Sequence, residues 1–484
     1  MNPFLNPLIS IPLLKEYILV PRRIERSTPK QLEHYRDKAF KKMFSYAYTV
    51  PLYYKKYKNA NIHPGDIRGI KDIKKIPFVS RKEFRDNFPD SITPTNFNRE
   101  KGQVICTGGT TGKYCCNSGA EPVCIYTDFS SLILGFISSI REHSLLGIDW
   151  RKSRIANIGN YNPYKFDEVF DKTVVSYLKP FFSLNNHLKM QASGETKEII
   201  ERLDAFRPDV IVSYPTIFQD LSYFKRKGFG KNINPKLLLS GGQLLDGYTK
   251  SYVEDIFGCR LLNMYGSCES GANIAFECPE GGWHIHSDYF HLEAVDEDME
   301  DIAPGERGQL VLTKLWGKGT PLIRYTGMDD WISLGNGKKC NCGLNSPILE
   351  KPLEGRVISN IILPNGKTYP PSEFLFITSI LKDLKTYKVR KFQIIQNKVD
   401  EIDVLLVIDD DLRNRGPSFE EIAERIKKAY AKVTGPDVEI IVKEIGEIED
   451  DFDSGKPAPL VVSKIPLKDQ CKLSSITNIK SKDR

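Results

Sequence analysis

The eight residues Cys106-Thr107-Gly108-Gly109-Thr110-Thr111-Gly112-Lys113 place three glycines, three threonine hydroxyls and a lysine in one short run. Glycine lets backbone N–H groups close on phosphate oxygens, hydroxyls add donors, and lysine adds a point charge, so the run suits a loop that wraps an anion. It is not a P-loop. That motif needs a glycine five positions before the glycine of its Gly-Lys pair and a Ser or Thr after the lysine, where this chain has Thr107 and Tyr114. A flexible surface turn is the alternative reading of this loop alone. A second set of residues could bind metal. Cys340-Asn341-Cys342 brings two thiols together, and Cys278 with His284 supplies two more ligands. Three thiolates and one imidazole make a closed, structural zinc site. The Cys-x-Cys spacing is tighter than the usual zinc hairpin, His286 is a competing imidazole, and four unliganded side chains are the alternative. Near the C-terminus, Asp453-Ser454-Gly455-Lys456-Pro457 offers a lysine on a glycine-bearing loop.

The elements that must position these groups read as α/β. Leu32, Tyr35, Ala39, Met43 and Tyr46 form one face of a helix over 28–49, and Pro51 stops it. Val104-Ile105 reads as a strand end leading into the glycine-rich loop, and Ser80-Arg81-Lys82-Glu83 as a helix-capping signal. Helix 130–146, strand 154–158, helix 199–206, strand 210–213, helix 216–227 and strand 236–240 then alternate, which predicts a parallel sheet with crossover helices. Strand ends open into loops at Gly241-Gly242 and at Tyr265-Gly266, where a ligand crevice is expected. From Trp283 to Leu315 the pattern turns β-rich, with strands at 290–295 and 309–315. Beyond Gly355-Arg356 short strands and a helix over 418–431 make a compact α+β unit. The predicted division is therefore 1–355 and 356–484.

Length and composition bound the function. At 484 residues the chain is too long for one ordinary core, and a hydrophobic content of 40% with 27% charged residues is that of a soluble globular protein. The net charge of +7 is a mild excess, and the basic clusters at 225–231 and 382–391 read as solvated faces and not as a nucleic-acid track. Ten cysteines in a long chain without a secretory signal predict reduced thiols in the cytoplasm. The apolar N-terminus from Phe4 to Val20 is interrupted by Pro7, Pro12, Lys15 and Glu16 and is too short to span a bilayer. It reads as a segment packed on the body, with loose membrane-surface contact as the minor alternative.

Taken in order, these motifs resemble those of the adenylate-forming ligases, most closely the phenylacetate-CoA ligase family and its relatives from capsular polysaccharide gene clusters. The likeness covers nearly the whole chain. Thr107 to Lys113 is similar to the family's phosphate loop, Ser240-Gly241-Gly242-Gln243 to its adenine loop, and Met264-Tyr265-Gly266-Ser267-Cys268-Glu269 to its Tyr-Gly-x-x-Glu signature. Pro321 to Asp329 is similar to the ribose-binding stretch, Gly355-Arg356 to the domain hinge, and Ser454-Gly455-Lys456 to the loop bearing the catalytic lysine. The resemblance implies a large adenylate-forming domain followed by a small mobile lid. It implies that Thr107, Thr110, Thr111 and Lys113 hold the β- and γ-phosphates of ATP, Glu269 holds magnesium, and Tyr265 with Gly241-Gly242 receives adenine. Asp329 would accept the ribose hydroxyls with Arg356 nearby, Lys456 would meet the attacking carboxylate, and Tyr214 would line the acid pocket. Some of these relatives carry a similar Cys and His set, which favours zinc. The sequence departs from the pattern in two places: Val357-Ile358-Ser359-Asn360 lacks the usual hinge acid, and residues 114–121 look inserted.

The expected activity is ATP-dependent formation of an acyl-adenylate from a carboxylic acid, an aromatic acid fitting the resemblance, then transfer to a thiol, with coenzyme A as the expected acceptor. The runner-up is an amide-forming ligase that hands the acyl group to an amine of a sugar or amino acid. A catalytically silent nucleotide-binding scaffold is the reading outside this class. No nucleic acid and no integral membrane segment are expected, and a homodimer is one oligomeric option.

Overall fold

The computed structural model describes residues 2–107, 122–335, 337, 339–448 and 458–466. Gly108 to Glu121, including Gly109, Thr110, Thr111, Gly112 and Lys113, and the loop bearing Lys456 lie outside the described residues.

An eight-stranded sheet forms the body, in the order β13-β9-β8-β7-β6-β5-β3-β4. Its parallel part is β4 (His187–Gln191), β3 (Ile155–Gly159), β5 (Val210–Ser213), β6 (Leu237–Gly241) and β7 (Arg260–Gly266). The crossover helices are α6 (Thr196–Phe206), α7 (Pro215–Arg226) and α8 (Gly247–Phe257), with α5 (Phe129–Leu145) preceding β3. Ile211, Leu238 and Leu261 are fully buried, as near-continuous apolar strands covered on both faces should be. The expected parallel sheet is thus present but mixed. From β7 onward, β8 (Asn273–Glu277), β9 (Trp283–Ile285) and β13 (Ile348–Leu349) add antiparallel strands at one edge. β10 (Phe290–Val295), β11 (Arg307–Lys314) and β12 (Trp331–Ser333) form a separate three-stranded sheet.

The N-terminal region is helical. α1 (Pro7–Arg26) runs through Pro12 and Pro21, with Pro7 at its first turn and the Asn6 side chain accepting from Leu8 N. Leu13, Val20 and Ile24 bury one face of it. α2 (Pro29–Ala47), α3 (Pro51–Asn59) and α4 (Arg81–Asn87) follow, and Thr28 with Gln31 and Ser80 with Glu83 form reciprocal capping boxes.

A second core gathers Ile361 to Val461 around β16 (Val389–Lys398), β17 (Glu401–Ile408), β18 (Glu439–Ile445) and β19 (Val461–Ser463), backed by α9 (Phe376–Asp383) and α10 (Phe419–Thr434). Tyr248 of α8 belongs to this second core and donates to Val389 O at 2.7 Å, so the two units are packed together.

One expectation is overturned. β1 (Gln103–Cys106) and β2 (Cys124–Thr127) pair antiparallel with Cys106 opposite Cys124, and the two are joined by a disulfide. The ten cysteines are therefore not all reduced thiols: strand register brings two of them face to face at the base of the glycine-rich loop, which spacing along the chain does not reveal.

Candidate active site

At the carboxyl ends of β6 and β7, one cavity is walled by both units. Gly242 and Gln243 follow β6, Tyr265 to Glu269 close β7, and Pro459 to Val462 enter from the second core. Gly242 takes φ +76, and a Cβ there would lie 2.8 Å from the Tyr214 ring, so both conformation and space call for glycine. Tyr214 caps α7 behind this glycine and is itself buried deeply enough to raise its pKa strongly.

Tyr265 is buried and donates its hydroxyl to Asp330 Oδ2 at 2.6 Å. Burial, with Asp330 beside it, raises its pKa well above the ordinary tyrosine value. Asp330 and Arg356 face each other as an isolated antiparallel bridge, and both line the cavity. The carboxylate expected there was Asp329. It takes a left-handed φ of +54, its carbonyl accepts from Val357 N at 2.7 Å, and its side chain does not line the cavity. This turn passes the cavity position to the next residue. Gly241, Gly266 and Ser267 stand where the reading placed them, at the two strand ends, and Ser267 and Gly266 line the cavity.

Thr107 and Glu269 occupy the opposite wall with Arg81, which the capping signal did not mark as functional. Arg81 Nη2 donates to Thr107 Oγ1 at 3.0 Å and Nη1 to Gly327 O at 3.2 Å, and the guanidinium lies 3.9 Å from both Glu269 and Asp329. Thr107 Oγ1 also accepts from Val123 N at 2.9 Å, and Lys165 Nζ donates to Thr107 O at 3.0 Å. Burial lowers the pKa of Lys165. Thus Arg81, Lys165 and Asp330 are the residues that sequence reasoning missed. The Asp329-Asp330 doublet was a usable signal for the last, while nothing along the chain ties Arg81 or Lys165 to Thr107. At the hinge, Asn360 Oδ1 accepts from Trp331 Nε1 at 3.0 Å, whereas Ser359 lines the cavity.

The Cys and His set does converge. Cys278, His284, Cys340 and Cys342 offer ligand atoms all within 4.8 Å of one another. Cys278 Sγ is 3.5 Å from Cys340 Sγ, and His284 Nε2 is 3.1 Å from Cys342 Sγ. His284 Nδ1 is 2.8 Å from Ser346 Oγ, which leaves Nε2 turned to the thiols. Burial pushes the His284 pKa down to about 4, so the ring is in the neutral, ligating form. His286 is excluded from the set because it is held by Glu142 at 2.7 Å and Arg141 at 2.8 Å.

Comparison with known proteins bears on both units. A phenylacetate-coenzyme A ligase of Thermus thermophilus is 24% identical over 418 residues, covering 83% of this chain and 86% of that protein. One from Escherichia coli is 25% identical over 63% of this chain and 68% of its own length. The chain is a relative of the phenylacetate-CoA ligases. Its residues 373–475 match the CapK C-terminal domain, a family model confined to the second core and the segment after it. Among solved structures, 2-hydroxyisobutyryl-CoA ligase in its postadenylation state aligns with a TM-score of 0.74 at 17% identity, covering 96% of this chain and 94% of that one. In its thioesterification state the same enzyme aligns at 0.60 with the same coverage. The fold of this phenylacetate-CoA ligase relative is that of the adenylate-forming CoA ligases.

Proposed function

We propose that this chain is an ATP-dependent acid ligase that forms an acyl-adenylate and then a coenzyme A thioester. The observation that carries this reading is the single cavity in which Thr107, Glu269, Tyr265, Asp330, Arg356 and the second unit's Pro459 to Val462 meet. A substrate carboxylate oxygen attacks the α-phosphorus of ATP, the bond to the bridging oxygen breaks, and pyrophosphate leaves. The thiol sulfur of coenzyme A then attacks the acyl carbon, losing its proton, and AMP departs.

Each wall has a task in this scheme. Asp330 with Arg356 receives the ribose hydroxyls, and Tyr265 with Gly242 receives adenine. Arg81 and Thr107 neutralise the triphosphate, with Thr110, Thr111 and Lys113 completing the loop. Glu269 is an oxygen donor of the kind magnesium takes; it is buried, and its one cationic neighbour, Arg81, is 3.9 Å away, beyond hydrogen-bond reach. Bound there, magnesium would offset phosphate charge. Lys456 is assigned to the attacking carboxylate, which suits a lysine three residues before cavity-lining Pro459. The names of the relatives support coenzyme A as acceptor and an aryl acid of the phenylacetate class as substrate. The boundary between the body and the lid is placed at 355/356, and a cytoplasmic setting suits the two cosubstrates. The amide-forming reading keeps one observation in its favour, the hinge 357–360 without a carboxylate.

A structural zinc ion belongs to the same proposal, held by Cys278, His284, Cys340 and Cys342. Tetrahedral zinc at the usual bond lengths sets sulfur atoms about 3.8 Å apart, close to the spacing seen here. A Cβ at Gly282 would lie 2.6 Å from Cys340 Sγ and 3.2 Å from His284 Nε2, so the cradle is kept clear by a glycine.

The test is pyrophosphate release from ATP across aryl, fatty and amino acids, with and without coenzyme A, beside Lys456→Ala. Release that requires one acid and Lys456, and thioester formation with coenzyme A, is expected. Release indifferent to the thiol and consumption of an amine would favour the amide-forming reading, and no release with any acid would sink both.

A further inference from the structure

The outward face of α1 has no covering among the described residues. Leu8 is 86% exposed, Ile11 66%, Leu14 60% and Ile18 64%. Leu8, Ile11, Lys15, Ile18 and Arg22 recur at three- and four-residue steps, so they share one face, and Lys15, Arg22 and Arg26 are all exposed. The opposite face fixes the helix rigidly. Arg141 Nη2 donates to Val20 O at 2.8 Å, Arg23 pairs with Asp288 at 3.2 Å, and Val20 is fully buried. The apolar surface continues onto a neighbouring loop: Phe4 packs edge-on against Phe181 at 6.2 Å, and Phe181 and Phe182 are 48% and 43% exposed, with exposed Lys179 just before them. Scattered apolar side chains are ordinary on a surface, but a continuous stripe edged by cations marks an interaction face.

We infer that α1, with Phe181 and Phe182, seats the protein on an anionic lipid bilayer. The helix lies in the surface: no described helix is long and apolar enough to cross a membrane, and α1 itself carries six charges. Its apolar residues would enter the acyl boundary while the stems of Lys15, Arg22 and Arg26 reach back to phosphate headgroups. Charge decides against a second copy as the occupant. Residues 2–15 contain no carboxylate, and Glu16, the first, is taken by Arg23. An antiparallel pairing of two α1 faces would lay Arg22 and Arg26 over that acid-free stretch. A parallel pairing would set them beside their own copies with only Glu25 to offset them. Anionic headgroups satisfy what self-pairing leaves unpaired.

The experiment is flotation of the full chain with phosphatidylcholine vesicles, with and without phosphatidylglycerol. Wild type should float with the anionic vesicles and release as salt rises. Ile11→Asp with Ile18→Asp, and separately Arg22→Glu with Arg26→Glu, should each cut the bound fraction by roughly tenfold or more while the thermal midpoint stays that of wild type. Wild type left unbound by phosphatidylglycerol vesicles, or equal flotation with both lipids, or an Ile11→Asp Ile18→Asp variant that floats as wild type, would overturn the inference. So would a solution dimer that this variant splits, which would make the face a self-interface.

Discussion

Arg81 stands at the N-terminal turn of α4, yet its guanidinium ties together Thr107, Gly327, Glu269 and Asp329. A fixed cation so placed can stabilise charge on the departing phosphates without reorganising during the reaction, a task for which single preorganised donors are worth about a hundredfold in rate. Arg81→Gln should therefore lower kcat/KM for ATP by about that factor, with Arg81→Lys recovering part of it; steady-state pyrophosphate release measures both. The carboxylate pair next to it separates by role. Asp330 lines the cavity and accepts from Tyr265, whereas Asp329 lies outside its wall. Asp330→Asn should raise the KM for ATP by roughly tenfold and Asp329→Asn much less, because a lost charged hydrogen bond costs about 1.5–3 kcal/mol. Equal effects would return the ribose role to Asp329. A third residue acts on stability. Lys314 is buried over the Trp316 ring at 4.1 Å, and burial pushes its pKa down to about 7 from 10.5, with Asp128 alone pulling it back. Between those two values the unfolded chain binds the proton that the folded chain has released, so stability rises with pH across that window and the penalty is full below about pH 7. Lys314→Met should be more stable than wild type by a few kcal/mol near pH 7, each pKa unit being worth about 1.4 kcal/mol, and the gap should close toward pH 10 in paired thermal melts.

At the scale of elements, the Cys and His set pins the edge of the main sheet. Cys278 and His284 lie on the β8–β9 hairpin, and Cys340 and Cys342 on the segment that leads to β13, whose two-residue pairing with β9 is short. Two paired residues hold a strand weakly, so a metal clip is the plausible source of that edge's order. Metal analysis should find one zinc per chain in wild type and none in Cys340→Ser, with the variant losing several degrees of thermal midpoint while ATP binding is unchanged. A wild type without zinc would end the assignment. The same edge shows what the sequence made legible. The apolar runs of β5 and β6 and the capping boxes of α2 and α4 are local signals, and they were read within a residue or so of their observed bounds. The mixed β8–β9–β13 edge, the Cys106–Cys124 disulfide and the Arg81–Thr107 contact depend on pairings 16 or more residues apart, which no local period encodes. The choice of Asp330 over Asp329 turned on one left-handed residue, and His284 over His286 on buried partners from α5.

At the scale of the whole molecule, the position of the second unit decides which half-reaction the cavity serves. The chain superposes better on the postadenylation than on the thioesterification arrangement of one and the same ligase, 0.74 against 0.60, so the unit sits as it does after adenylation. The contacts that hold it there all fall on α7 and α8. Lys391 meets Asp220 at 2.9 Å with side chains 8% and 17% exposed, Arg226 pairs with Asp409, Lys227 with Asp411 at 3.1 Å, and Tyr387 with Asp255. Most of these are rim contacts worth little in water, but the Lys391–Asp220 pair is largely shielded, and removing one partner strands the other. Any rotation of the unit that exposes a new face to the cavity must break this pair, so its loss should weigh on one half-reaction only. Asp220→Ala should slow acid-dependent pyrophosphate release by roughly tenfold while leaving thioester formation from supplied acyl-adenylate at the wild-type rate or faster. The charge-swapped pair Asp220→Lys with Lys391→Asp should restore pyrophosphate release if the contact acts as a latch. Equal slowing of both half-reactions would mean instead that the pair only stabilises the fold, and the swap would then leave the two rates in the same ratio as the single variant.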